Sequence, residues 1–199
     1  GSDIVVNENG NNSQPYPERL KECHGVIADG LEDTWYEYVP ASYDPAKKVP
    51  LVIGNHGGLM TGWGHAIYTS WTLVADREGF IAVFPDAHSL RMWQVRGVFE
   101  NFDPRDAPDL PIQTVPESMQ DNHDMNFLLG LIEQMKQKYN IDEGRIFMQG
   151  MSMGNLMTTQ FARYYGHVLA GAAGSGGPTR PDMLFDKDGN LINEAGPLA

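Results

Sequence analysis

The sequence predicts an α/β domain: a mostly parallel sheet with helices on both faces. Three observations predict it. Short, wholly apolar segments such as Leu51-Val52-Ile53 and Phe80–Phe84 are strand-sized and stop at Gly, Asn or Pro. Amphipathic segments alternate with them, the clearest carrying Met125, Leu128, Leu129, Ile132 and Met135 at helical spacing. The strands show no polar alternation, which marks burial on both faces, the habit of parallel sheets.

The elements follow in order. Residues 1–30 are read as an irregular N-terminal arm, because Asn, Ser and Pro crowd its first part without periodicity. Residues 31–199 are read as the N-terminal part of a single α/β domain, since no linker or repeat divides them. Trp35–Val39 has strand propensity and Pro40 ends it. Val49–Asn55 reads as a buried strand bounded by His56-Gly57-Gly58. His65–Glu78 is a helix with Ile67, Trp71 and Val74 on one stripe, and Phe80–Phe84 is a strand stopped by Pro85. A loop of about thirty residues follows, a length that usually has a function. Then come a helix over Glu117–Tyr139, a strand over Arg145–Gln149, a sharp turn at Gly150–Gly154, a helix over Asn155–Tyr165 and a small-residue strand over Val168–Ala173.

Composition excludes several functions. The 199 residues carry a formal charge of −12, so a nucleic acid partner is not expected. No apolar run reaches the length of a membrane span. Cys23 is the single cysteine, which rules out an internal disulfide and zinc sites of the Cys-x-x-Cys kind. The Gly-Lys-Ser/Thr of a phosphate-binding loop is absent. Asp186-Lys187-Asp188-Gly189-Asn190 reads as a surface hairpin rather than a calcium loop, because Leu191 and Pro197 stand where such a loop needs Gly and Glu. Neither a cofactor nor a metal is expected.

Gly150-Met151-Ser152-Met153-Gly154 fits Gly-x-Ser-x-Gly. Between a buried strand and a helix this pattern is a nucleophile elbow, and it specifies an α/β-hydrolase. The strained turn lifts the hydroxyl above the sheet edge, and side chains in place of Gly150 or Gly154 would collide with their neighbours. The helix start supplies free N–H groups and a dipole for a developing oxyanion. Met153 N–H is the expected first donor; Gly58 N–H, with Leu59 behind it, is the expected second. Trp63, His88 and Trp93 lie in loops near this edge and are candidate substrate contacts, although a loop tryptophan can equally plug the core.

A serine nucleophile needs a base, and this fold orders its chain Ser, acid, His. Only His167 follows Ser152, at the far end of the next helix. His24 reads as structural, His56 as ordering the oxyanion loop, His65 and His88 as residues at the active edge, and His123 as a local structural partner. The catalytic histidine and acid are therefore expected outside this chain. Asp182, Asp186 and Asp188 follow the last strand; Asp182 is retained as the candidate acid within it. The expected partner is a C-terminal fragment of the same polypeptide, held after nicking beyond Asp186, with simple truncation as the rival account. The sheet is expected to end on a long hydrophobic edge with an uncovered face, and the chain alone is expected to be inactive.

Several segments resemble one family: Pro50–Gly58, Asp124-Met125-Asn126-Phe127, Tyr139–Gly154 with its Ile-Asp-x-x-Arg lead-in, and Ala170–Gly177. They are similar to the polyhydroxybutyrate depolymerase and feruloyl esterase-like group of α/β-hydrolases. The resemblance implies a mostly secreted, or periplasmic, hydrolase of carboxylic esters in polymer or plant-wall material, with its nucleophile at Ser152. It departs from the group at Met153, where many members have Ala, and at His123, where many have Asp. A serine peptidase of the same fold is the alternative, and a non-catalytic binding protein that kept the elbow is another.

Overall fold

A computed structural model describes residues 16–96, 115–177, 185 and 187–190. The first two strands, β1 (Leu20–Ala28) and β2 (Leu31–Tyr38), pair antiparallel from Leu20↔Tyr38 to Ala28↔Leu31. Asp29 and Gly30 join them with φ of 54° and 68°. Two left-handed residues make the tight hairpin turn for which Asp-Gly is suited. Residues 20–28 are thus a strand, not the irregular arm expected over 1–30. β1 lies at the sheet edge, so its apolar pattern is thin; Cys23 and Ile27 are its partly buried contacts with the core. Residues 1–15 lie outside the described residues.

The sheet continues with β3 (Val49–Asn55), β4 (Ile81–Pro85), β5 (Ile141–Met151) and β6 (Gly171–Ser175) in the order β1-β2-β4-β3-β5-β6. β4, β3, β5 and β6 run parallel, and β2 joins β4 antiparallel. The expected helix over His65–Glu78 is two helices, α1 (Gly62–Thr69) and α2 (Trp71–Glu78). Thr61 starts α1 early by accepting from Gly64 N at 3.1 Å, and left-handed Ser70 (φ 58°) breaks the run. The next helix, α3 (His123–Lys138), starts later than expected, because Asn122 caps it by accepting from Met125 N at 3.1 Å. Residues 119–121 form a separate 3₁₀ turn. The last helix is α4 (Met153–Tyr165).

Strand alternation divides the core. Leu51, Ile53, Ile81, Val83, Ile146 and Met148 face α3 and α4, among Phe127, Leu131, Met157 and Phe161. Val52, Ala82 and Phe84 face the other way, onto Ala66 of α1 and Ala75 of α2. Buried Glu37 ties β1, β2 and α3 together, accepting from Cys23 Sγ (3.3 Å), Trp35 Nε1 (2.8 Å), Tyr139 Oη (2.6 Å) and Lys138 Nζ (2.9 Å). Burial works against its charge, but these donors together hold Glu37 below the usual glutamate range.

This topology creates the crevice. From β3 the chain leaves toward the α1–α2 face, and from β5 toward the α3–α4 face. Neighbouring parallel strands whose connections diverge open a cleft at their carboxyl ends. The outer strand corrects one expectation in part: β6 is Gly171-Ala172-Ala173-Gly174-Ser175, of small residues as the sequence indicated, so the edge is short rather than long and hydrophobic, while its residues from Ala172 to Ser175 are exposed. It starts at Gly171 because residues 166–168 form a 3₁₀ turn. Beside it, Phe147 of β5, paired with Gly171, is an exposed large apolar side chain.

Candidate active site

The cleft holds the elbow. Ser152 stands between β5 and α4 with φ 54° and ψ −119°, a conformation strained for any residue but glycine, and its side chain is exposed. Its N–H donates to Ser175 O at 2.8 Å, locking the turn to β6. Both flanking glycines are needed for close approach: a Cβ at Gly150 would strike the Gly154 carbonyl, and one at Gly154 would strike the Asn55 carbonyl. β3, β5 and α4 therefore meet in backbone contact beneath the serine.

The His56-Gly57-Gly58 loop lies against this turn. A Cβ at Gly57 would sit 3.6 Å from Ser152 Cβ, and one at Gly58 would sit 3.4 Å from Met153 Sδ and 3.2 Å from Met92 Sδ. No described hydrogen bond uses the N–H of Gly58 or of Met153. Leu59 is different: its N–H donates to Arg91 O at 2.9 Å. That bond removes Leu59 from the candidate donors, because an N–H turned to a protein carbonyl is not aimed at a substrate oxygen.

His56 orders the loop, as expected. It is fully buried, accepts from Ala87 N at Nε2 (2.9 Å) and donates from Nδ1 to Gly57 O (2.6 Å). Burial pushes its pKa down to about 3. His65 is buried too, at 2.9 Å from Gln149 Oε1, with its pKa pushed down to about 4 by burial. It does not face the cleft.

The aromatic expectations fare differently. Trp93 is 1% exposed, donates to His56 O at 2.7 Å and lies 4.8 Å from the His56 ring. It plugs the core and contacts no substrate. Trp63 packs half-buried on Tyr16, 5.9 Å between rings, against the α1–α2 face. The Trp93 loop is anchored by buried Asp124 at the start of α3, which accepts from His88 N (3.2 Å) and Gln94 N (2.9 Å). Burial raises the Asp124 pKa to about 6.

His88 belongs to a second group at the same sheet end. Its Nδ1 lies 2.9 Å from Asp33 Oδ1. The other Asp33 oxygen is 2.8 Å from His123 Nε2, whose Nδ1 is 2.8 Å from Asp29 Oδ2. The two rings are 4.6 Å apart. His123 is thus a structural partner, as expected, but its partners come from β2 and the β1–β2 turn. Sequence spacing could not show that.

No histidine reaches the serine. All six histidines are described, and none is hydrogen-bonded to Ser152. His167 is exposed beyond α4, on the order of 20 Å from the elbow at about 1.5 Å per residue. Asp182 and Asp186 lie outside the described residues, and Asp188 is exposed.

A positive-φ serine between a parallel strand and a helix, facing a glycine pair at the end of the neighbouring strand, decides the fold. This is an α/β-hydrolase fold, present in part. No family model matches the chain. Curated relatives do. The chain is similar to the bifunctional acetylxylan esterase/xylanase XynS20E of Neocallimastix patriciarum, 26% identical over 71% of this chain and 17% of that protein. It is also similar to poly(3-hydroxyalkanoate) depolymerase C of Paucimonas lemoignei (28%, covering 72% and 31%) and to feruloyl esterase B of Neurospora crassa (28%, covering 71% and 43%). Among solved structures, the acetyl xylan esterase of Aspergillus awamori superposes with a TM-score of 0.60 at 20% identity, over 86% of this chain and 56% of that one. The resemblance to the depolymerase and feruloyl esterase group therefore holds. The chain spans less than half the length of the curated relatives it matches. None of its described helices is long and apolar enough to cross a membrane.

Proposed function

We propose that this polypeptide carries the nucleophile half of a serine carboxylic-ester hydrolase. The observation that carries the reading is Ser152, exposed at φ 54° above β5, with the unengaged N–H groups of Met153 and Gly58 beside it. Ser152 Oγ attacks the ester carbonyl, and the carbonyl oxygen takes up the negative charge between those two N–H groups. The alcohol leaves, an acyl group stays on Oγ, and water releases it as the acid. Two fixed donors supply several kcal/mol of transition-state stabilisation.

The proton from Ser152 goes to a histidine that this chain does not bring to the site. We assign that base, and the acid that orients it, to a C-terminal segment of the same polypeptide, which docks beside β6. The names of the relatives, an acetylxylan esterase, a poly(3-hydroxyalkanoate) depolymerase and a feruloyl esterase, favour a polymeric or aromatic cell-wall ester as substrate, and we propose a secreted or periplasmic setting to match such a substrate.

The test is a fluorophosphonate probe on the full-length protein, followed by turnover of p-nitrophenyl acetate against a peptide anilide. Labelling confined to Ser152, with ester cleaved faster than anilide, is expected. A preference for the anilide would make it a peptidase. No labelling of Ser152 would leave a binding protein with an inert elbow.

A further inference from the structure

We propose that Asp33, His88 and His123 form a binding site for a divalent metal ion of the zinc class, separate from the elbow. The three residues come from the start of β2, the loop after β4 and the start of α3. One ligand atom from each lies within 4.8 Å of the others. Asp33 and His123 are 3% and 7% exposed, while the His88 side chain is one-third open.

The donor chemistry fits that class. Two imidazole nitrogens and one carboxylate oxygen suit zinc, which takes four tetrahedral ligands at about 2.0–2.2 Å. At those bond lengths the ligand atoms stand about 3.3 Å apart. At present His88 Nδ1 lies 2.9 Å from Asp33 Oδ1 and His123 Nε2 lies 2.8 Å from the other oxygen, Oδ2, so a single-oxygen ligand needs a turn of the Asp33 carboxylate within a set whose ligand atoms already lie within 4.8 Å of one another. The fourth position falls to water. Asp33 and His88 line a cavity of about 210 Å³ that also carries Glu32, Asp86 and Arg91. Its wall offers three carboxylates against one guanidinium, so the entry is favourable to a cation.

The outer shell is in place as well. His123 Nδ1 is 2.8 Å from Asp29 Oδ2, the carboxylate–histidine–metal arrangement that fixes the tautomer and raises ligand basicity. Asn126 Nδ2 holds the same Asp29 carboxylate at 3.2 Å. The backbone N–H of His88 donates to Asp124 Oδ1 at 3.2 Å, which holds the main chain at this ligand. Binding is a proton exchange: the ion takes the Nε2 lone pair of His123, whose proton leaves to solvent, and His88 binds through Nδ1 with its proton on Nε2. The bound ion fastens β2, α3 and the loop that runs on to Arg91 and Met92, which touch Leu59 and Gly58.

The test uses tag-free, chelator-treated full-length protein. Co²⁺ titration is expected to give the intense visible band of a tetrahedral site, and Zn²⁺ to displace it at one equivalent by calorimetry. His88→Ala, at a partly open position, is expected to keep the circular dichroism of the parent and weaken Zn²⁺ at least about tenfold. In unsubstituted protein, the ¹⁵N shifts of His88 Nδ1 and His123 Nε2 are expected to move together on titration, which needs no variant to fold. Absence of both band and heat would leave an ion-pair cluster only and overturn the proposal. So would His88→Ala binding as tightly as the parent, or binding of Ca²⁺ in place of Zn²⁺.

Discussion

Two corners of the same sheet end are built by opposite means. At the ends of β3 and β5, the elbow is made of backbone: a strained serine, glycines in contact with carbonyls, and two unengaged N–H groups. At the ends of β2 and β4, the histidine–aspartate group is made of side chains from four places in the chain. The first corner exposes a serine with no charged neighbour in hydrogen-bond contact among the described residues. The second concentrates charge and fastens strands to a helix. The difference teaches that a reactive serine needs shape, which glycine spacing encodes locally, whereas a charged cluster needs long-range folding.

The sharpest break between the corners is Ser152→Ala. In full-length protein it is expected to lower turnover by about 10⁴-fold or more and to leave the free energy of urea unfolding within about 0.5 kcal/mol of the parent. Retention of more than about a hundredth of the rate would place the nucleophile elsewhere. Gly154→Ala attacks the same corner through shape. Its Cβ meets the Asn55 carbonyl, which belongs to β3 and cannot move aside as a side chain can. A loss of about 3 kcal/mol is expected by urea unfolding; a loss below about 1 kcal/mol would show that the elbow has slack.

Asp124 links the corners, since it anchors the loop whose Met92 packs on Gly58. Asp124→Asn keeps one acceptor and turns an amide N–H toward a backbone N–H. A cost of about 2 kcal/mol is expected, with a fall in kcat rather than a rise in KM. Unchanged kcat would mean that the two corners act independently.

The smallest effect is a pH slope. His56 and His65 have folded pKa values near 3 and 4, below the ordinary histidine value of 6.5. Unfolded chains therefore bind two more protons below about pH 6.5, and stability falls as pH falls through that window. Asp124, raised to about 6, acts the other way between about pH 6 and 4, because its folded carboxyl takes up a proton first. Net stability is expected to drop by roughly 1 kcal/mol per pH unit between pH 6 and 5. His65→Gln removes one of the two histidine protons, leaving the other nearly balanced by Asp124, and is expected to flatten the slope over that unit, read from urea unfolding at each pH. An unaltered slope in the variant would show that His65 titrates normally.

The sequence by itself determined the parallel sheet, the elbow and the glycine loop, because apolar runs and glycine spacing act over a few neighbouring residues. Gly150, Ser152 and Gly154 specify their own turn wherever a buried strand precedes a helix. Asp29-Gly30 was an equally local signal for the β1–β2 hairpin, hidden because the edge strand before it buries little. Tertiary structure alone decided the rest. Trp93 could have faced substrate or core, and only the packing of its loop on His56 and Asp124 turned it inward. Leu59 and Gly58 were indistinguishable as donors until the Arg91 carbonyl took the Leu59 N–H. Asp29, Asp33, His88 and His123 span 94 positions of sequence separation, and no local pattern links them. They meet because β2 runs antiparallel to β4 and α3 starts over that end of the sheet, a consequence of strand order that no short window of residues contains.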